Sequence, residues 1–340
     1  MSNEQVRPLN YSAHAVEDLK LLAAQLHEQG AIYAAEALQG IVELLQSSVK
    51  FIMPNCCELI DPNQLGQSHL DLLRLPFPCV AFEAPWEKDS PGPQQVGDFT
   101  QAKSTKRIAL CWDASWGPEL ILVMKSVLKA FPEGGVFMVP IFWVSESRRW
   151  WTALGGCFVP YENQATTFHP DDLPGPSRIA AQALIDDGRA KPKATQFRAE
   201  PFALLEEPFQ FAIQQYGSRE KAFAQLMLDS HDELMMLVQS CSVLNCANVT
   251  TSELAPAAAL NKKRQAKGLQ PFFTYKVLQL RREERASASV DVGQHASPRM
   301  HLRRGHLRRL NNKTTWVRPT TVSAQSKLGV VLKDYAVRDA

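Results

Sequence analysis

The run Val136-Phe137-Met138-Val139-Pro140-Ile141-Phe142-Trp143-Val144 is apolar at both alternating sets of positions. A strand with one wet face alternates apolar and polar residues. A strand apolar throughout belongs in the middle of a sheet covered on both sides. This requirement calls for flanking strands and covering helices. Strand-like runs recur at Phe77–Phe82, Arg107–Trp112, Phe272–Leu280 and Thr314–Arg318, with further candidates around Arg303 and at Val330–Leu332. Helical spacing of Val16, Leu19, Leu22, Ala23 and Leu26, a stop at Gly30 and a second apolar stretch from Ile32 to Leu45 predict a helical hairpin over residues 13–50. Leu120–Phe131 and Ser177–Leu184 suit helices. Ser218 is placed to cap a helix reaching Leu244 whose Leu and Met clusters cover almost every face, which predicts burial. The polar stretch 87–106 reads as a surface excursion. The expected class is α+β: a central mixed or antiparallel sheet from strands near 78, 108, 138, 273, 303 and 316, with the hairpin and the 218–244 helix packed on it.

Charge divides the chain more sharply than hydropathy does. Residues 261–340 hold eighteen Lys and Arg against five Asp and Glu, a net of +13. The whole chain is only +2, so residues 1–260 carry −11. An acidic α+β body, 1–260, is thus joined to a basic β-rich segment, 261–340, read as completing the same structural unit. Such asymmetry points to a polyanion or another acidic surface as partner, or to docking of the basic segment on its own body. No stretch approaches the ~20 apolar residues that cross a bilayer, and Met1–Gln5 has no apolar secretory core. Seven cysteines without a Cys-x-x-Cys pair argue against a disulfide framework or a zinc site and for a reducing, cytoplasmic setting.

No Gly-rich phosphate loop, Gly-x-Ser-x-Gly elbow or His-Glu-x-x-His pair occurs, so no cofactor is expected. Asp71, Glu83 and Asp113 flank apolar strands and read as solvated strand ends. The basic segment carries the candidate chemistry. Lys262, Lys263, Arg264 and Lys267 precede an aromatic strand, and Arg299, His301, Arg303, Arg304, His306, Arg308 and Arg309 crowd around Gly305. Lysine and arginine neutralise phosphates, and arginine adds planar bidentate donation. Phe272, Phe273, Tyr275 and Trp316 offer rings on which bases stack. His301 and His306 form the alternative, an acid–base pair for metal-independent RNA cleavage. Five residues apart on one regular strand, however, they point to opposite faces unless Gly305 marks a bulge. The histidines are therefore read as orienting groups, and the chain as a binder rather than an enzyme.

Pro298-Arg299-Met300-His301-Leu302-Arg303-Arg304-Gly305-His306-Leu307-Arg308, followed by Thr315-Trp316-Val317-Arg318-Pro319, resembles the C-terminal signature of a family spread through phages and plasmids. Its usual form is Arg-Pro-His-x-Arg-Arg-Gly-His-Trp, then a turn, a Trp-containing strand and a proline. Here Met300 replaces the usual Pro and Leu307 the usual Trp. Asn261-Lys262-Lys263-Arg264 and, more weakly, Leu75–Val80 also look like the family. Its best-known branch is a type V-A anti-CRISPR acting on production of the CRISPR effector. The resemblance implies a mobile-element protein working in the cytoplasm of a bacterial host cell. It would bind RNA or a protein–RNA assembly, such as a CRISPR effector or its nascent chain or transcript, and suppress host defence without a membrane step. A purely protein-binding inhibitor is the remaining alternative.

Overall fold

The computed structural model describes residues 6–61, 64–87, 92–116, 122–169, 172–280, 301–303, 306–310, 313–317, 320–322 and 338–339. Two helices open the chain, α1 (Tyr11–Glu28) and α2 (Ile32–Ser47), turning at Gly30, whose φ of 83° is the left-handed conformation a side chain would resist. Then follow β1 (Val49–Ile52), a short 3-10 turn at Asn55–Cys57, α3 (Gln67–Leu70), β2 (Cys79–Pro85), the hairpin β3 (Gly92–Val96) and β4 (Phe99–Lys103), and β5 (Lys106–Asp113). Next come α4 (Leu122–Ala130), β6 (Gly135–Val144), β7 (Arg149–Thr152), β8 (Gly155–Pro160), β9 (Thr166–Thr167), α5 (Gly175–Asp186), β10 (Thr195–Gln196) and β11 (Glu200–Ala203). Helices α6 (Glu206–Tyr216) and α7 (Arg219–Leu244) precede β12 (Val249–Leu254), α8 (Ala258–Gln265) and β13 (Tyr275–Leu280). Short strands close the chain: β14 (His301–Arg303), β15 (His306–Leu310), β16 (Lys313–Val317), β17 (Thr320–Val322) and β18 (Arg338–Asp339).

The class is α+β, built on one mixed sheet in the order β11-β8-β6-β5-β2-β1-β13-β12. The central trio β2, β1 and β13 is parallel, and antiparallel strands extend it on both sides. β6 is interior, as its unbroken apolar run requires: its first half pairs β8 and its second half β7. The two faces of the sheet differ in side-chain size. Trp112, Phe137, Phe158 and Phe202 point to the α1–α2 hairpin, whereas Ala109, Cys111, Met138 and Cys157 point to α7. The small face lets α7 lie close against the strands, and its Met236, Leu237 and Cys241 fill that side. Ser218 caps α7, its hydroxyl accepting from Lys221 N–H at 3.1 Å. All seven cysteines are buried free thiols.

Several expectations are corrected. Residues 92–103 form the β3–β4 hairpin, with the cross-strand pair Val96 and Phe99 packed against α5 and α7, because one apolar pair in a polar stretch is enough to seat a hairpin on a neighbouring core. The strands around 303 and 316 do not join the main sheet: β14 pairs β17, and β15 pairs β16, as separate ladders. From the basic segment, β13 enters the sheet between β1 and β12, and β18 pairs its far end. The strand expected at 330–332 lies outside the described residues.

Glu83, expected at a wet strand end, is wholly buried. Its carboxylate accepts from Tyr11 N–H, Ser12 N–H, the Ser12 hydroxyl and the Tyr275 hydroxyl, at 2.5–3.0 Å. α1 has no side-chain cap of its own at Asn10, so Glu83 supplies the acceptor that the helix N-terminus lacks. Glu207 does the same for α2, accepting from Tyr33 and Ala34 N–H at 2.9 Å. A second buried charge group sits beneath α7. Arg107 meets Asp232 at 3.0 Å and Glu233 at 2.9 Å, with the Trp86 ring 5.3 Å from its guanidinium.

Candidate nucleic-acid interface

Helix α8 contains no buried residue. Its residues favour helix, but eight of them are too few to hold one in water, so it is fixed by polar links from one face. The Asn261 amide brackets Phe272, donating to its carbonyl at 2.9 Å and accepting from its N–H at 2.8 Å. Arg264 donates to Gln270 O at 2.7 Å and to Glu17 at 2.6 Å, and lies 4.1 Å over the Phe272 ring. The helix ends in a Schellman turn: Gly268, at φ 68°, donates to Gln265 O and Leu269 donates to Arg264 O. Arg264 is therefore an anchor to α1. Lys262, Lys263 and Lys267 are exposed and form no ion pair among the described residues.

The β15–β16 hairpin is also held from one side. Trp316 is 2 % exposed and donates its indole N–H to Leu59 O at 3.2 Å. Asn248 repeats the bracket seen at Asn261, pairing both backbone groups of Trp316 at 2.8 Å. Ala247 N–H donates to Thr314 O at 2.9 Å, attaching β16 where β12 begins. Arg309 pairs with Asp71 at 2.5 Å, and the hydrogen bond from the Gln67 side chain, followed by this pairing, holds the Asp71 carboxyl below its ordinary value. Arg308 is exposed, with no ion pair among the described residues.

Four aromatic rings expected to stack on bases are engaged inside the protein. Tyr275 is buried with its hydroxyl on Glu83, and burial followed by Glu83's charge drives that phenol far above its usual range. Trp316 fills the core under α7, and Phe272 carries Arg264. Phe273 lies 3.6 Å from the ammonium of Lys50, whose pKa burial lowers to about 8 against the upward pull of Glu83. Tyr275 and Trp316 are thus corrected from base platforms to packing residues: a β-strand sends alternate side chains inward, and these are inward positions.

Among the described residues, the predicted basic side chains are not gathered into one site. α8 docks on α1 beyond the end of β12, whereas β15–β16 docks at the start of β12 with Trp316 beneath α7. The length of β12, five steps from its first to its sixth residue, separates them by about 17 Å at ~3.4 Å per step. For His301, Arg303 and His306 only the backbone is described: His301 and Arg303 lie on β14, opposite Val322 and Thr320, and His306 on β15, opposite Val317. The two histidines thus sit on different ladders, so alternation along one strand does not relate them. Arg299, Arg304 and Gly305 lie outside the described residues. Asp71 reads in the sequence as a solvated strand end and Asn261 only as part of the basic run, while Glu17 and Asn248 carry no signal, because nothing local marks which acid or amide meets a distant arginine or strand. Among the described residues, no group of three or more His, Cys, Asp and Glu is placed to hold a metal ion. Among the described residues, no helix is long and apolar enough to cross a membrane. No family model, curated protein or solved structure matches this chain.

Proposed function

We propose that this chain is a mobile-element regulator that suppresses a host defence gene product by binding RNA or a protein–RNA assembly, in the manner of an anti-CRISPR. One observation carries the reading. The basic segment is only partly neutralised by its own body: Arg264, Lys276 and Arg309 meet Glu17, Glu253 and Asp71. Lys262, Lys263, Lys267 and Arg308 stay exposed and unpaired among the described residues. Docking on the acidic body therefore accounts for the anchors and leaves a cationic remainder facing solvent. The resemblance around His301–Arg309 supplies the biological setting. Contact with RNA runs through phosphates rather than stacked bases, since the candidate rings are buried or engaged.

The test is ultraviolet crosslinking in cells that carry the phage-defence system, with binding of the purified protein to the recovered RNA across a salt series. A logarithmic affinity falling steeply with salt, by about 0.7 per phosphate neutralised on a single strand, is the expected result. Recovery of protein alone, with no RNA and no salt dependence, would favour the purely protein-binding inhibitor. Replacing Arg303 and Arg304 by Ala is expected to abolish suppression while leaving the thermal midpoint within a few degrees. A comparable loss of stability would instead make them structural.

A further inference from the structure

The surface formed by α8 and the adjoining flank of α1 differs in composition from the β15 strand. Leu260, Lys263 and Lys267 recur at helical spacing i, i+3, i+7, so they share one stripe of α8 and its terminal turn. Leu269 follows the turn, and the next residue, Gln270, donates its N–H to Glu17 at 2.9 Å. Leu21 lies one turn beyond Glu17 on α1 and shares its face. Leu21, Leu260 and Leu269 are 54 %, 45 % and 39 % exposed. Three exposed leucines thus lie on three segments that meet at Glu17, on the same side as lysines that have no acidic partner among the described residues. Scattered exposed leucines need no explanation, but a cluster rimmed by one sign of charge marks a docking surface.

We infer that this α1–α8 surface binds an acidic polypeptide segment with apolar anchors. Phosphate is attracted by the lysines but gains nothing from the leucines, and a nucleic-acid site would be expected to carry arginine or free aromatic rings there. Here the one arginine, Arg264, is turned inward as the platform's anchor, and Phe272 lies beneath it. A lipid surface calls for a continuous apolar face along one helix. α8 has eight residues with a single leucine, Leu260, too little to form such a face. An acidic peptide satisfies both components, its carboxylates meeting the lysines and its apolar side chains covering the leucines. The inference rests on the proposed function only where that names a protein–RNA assembly: it gives the polypeptide of such an assembly a place, separate from the arginine strand.

The experiment uses the full chain and three probes: a labelled peptide of glutamates with leucines at helical spacing, the same peptide with serine for leucine, and a labelled oligouridylate. Because α8 buries no residue, Leu260→Ser with Leu269→Ser, and separately Lys263→Glu, should fold, which the melting curve verifies. Each variant is expected to weaken the leucine peptide by about tenfold or more, and the serine peptide should bind poorly to every form. Oligouridylate affinity should be unchanged by the leucine variants. Equal binding of the two peptides would overturn the inference, as would oligouridylate or phosphatidylserine vesicles competing for the surface. Peptide binding without any RNA binding would leave the inference standing and remove RNA from the proposed function. RNA binding without peptide binding would do the reverse.

Discussion

A helix N-terminus usually finds its acceptor within its own first residues; at α1 the acceptor is Glu83, 71 residues from Ser12. Truncating Glu83→Ala would orphan two backbone N–H groups and the hydroxyls of Ser12 and Tyr275 in a dry site. At ~1–3 kcal/mol for such losses, the expected destabilisation is about 3 kcal/mol, read as a shift in the urea midpoint; a loss below about 1 kcal/mol would show that water replaces the carboxylate. Glu233 makes a different residue-scale claim. Burial pushes its carboxyl up to about 7, against the downward pull of Arg107. A carboxyl raised on folding favours the folded state when protonated, so this contribution is full below its ordinary value and is lost as pH rises through about 7. Its neighbours oppose one another: burial lowers His231, while Asp232, despite burial, is held low by Arg107 and His231. The clean comparison is therefore Glu233→Gln. Between pH 4.5 and pH 7 the variant should gain on the wild type by on the order of 3 kcal/mol. Parallel pH profiles in chemical denaturation would place the titration elsewhere.

At the scale of elements, legibility followed hydrophobic pattern. α1, α2, α7, β2, β5 and β6 could be read because each has an apolar period that matches its structure. β1, β12 and α8 could not. β1 is four residues joined to the end of α2, and its buried Lys50 breaks the apolar signal. β12 is half-buried and rich in threonine and serine, and α8 has no core face at all. Such elements exist because distant partners hold them. The β15–β16 hairpin is the clearest case, because Trp316 and the Asn248 bracket do what a larger apolar face does elsewhere. Trp316→Ala is expected to cost about 3–5 kcal/mol if the hairpin and core unfold together. If they separate, amide exchange will rise throughout β15 and β16 while α7, β5 and β6 stay protected. The anchoring role implies the second pattern; unchanged exchange in the hairpin would show that Asn248 and Asp71 hold it without the indole.

For the whole molecule, charge asymmetry in the sequence was informative about sign and silent about geometry. It announced an acidic body and a basic segment, but Glu17 with Arg264, and Asp71 with Arg309, are pairings only the fold could select. Their effect is to leave two cationic surfaces about a strand's length apart rather than one site. That separation has an electrostatic consequence. At ~0.15 M salt the Debye length is about 8 Å, well under the ~17 Å of β12 between them; at ~0.01 M it is about 30 Å. Suppose RNA is held at the arginine strand and the α8 lysines serve another contact. Replacing Lys262, Lys263 and Lys267 together by Ala should then change RNA affinity less than about twofold at the higher salt, and weaken it clearly at the lower, where the field of the whole protein is felt. Arg308→Ala should weaken RNA binding at both salts and reduce the slope of logarithmic affinity by about 0.7. If the triple lysine variant instead loses affinity at both salts, with its slope reduced by about 2, then RNA crosses both surfaces in one footprint and the division of labour between α8 and β15 is wrong.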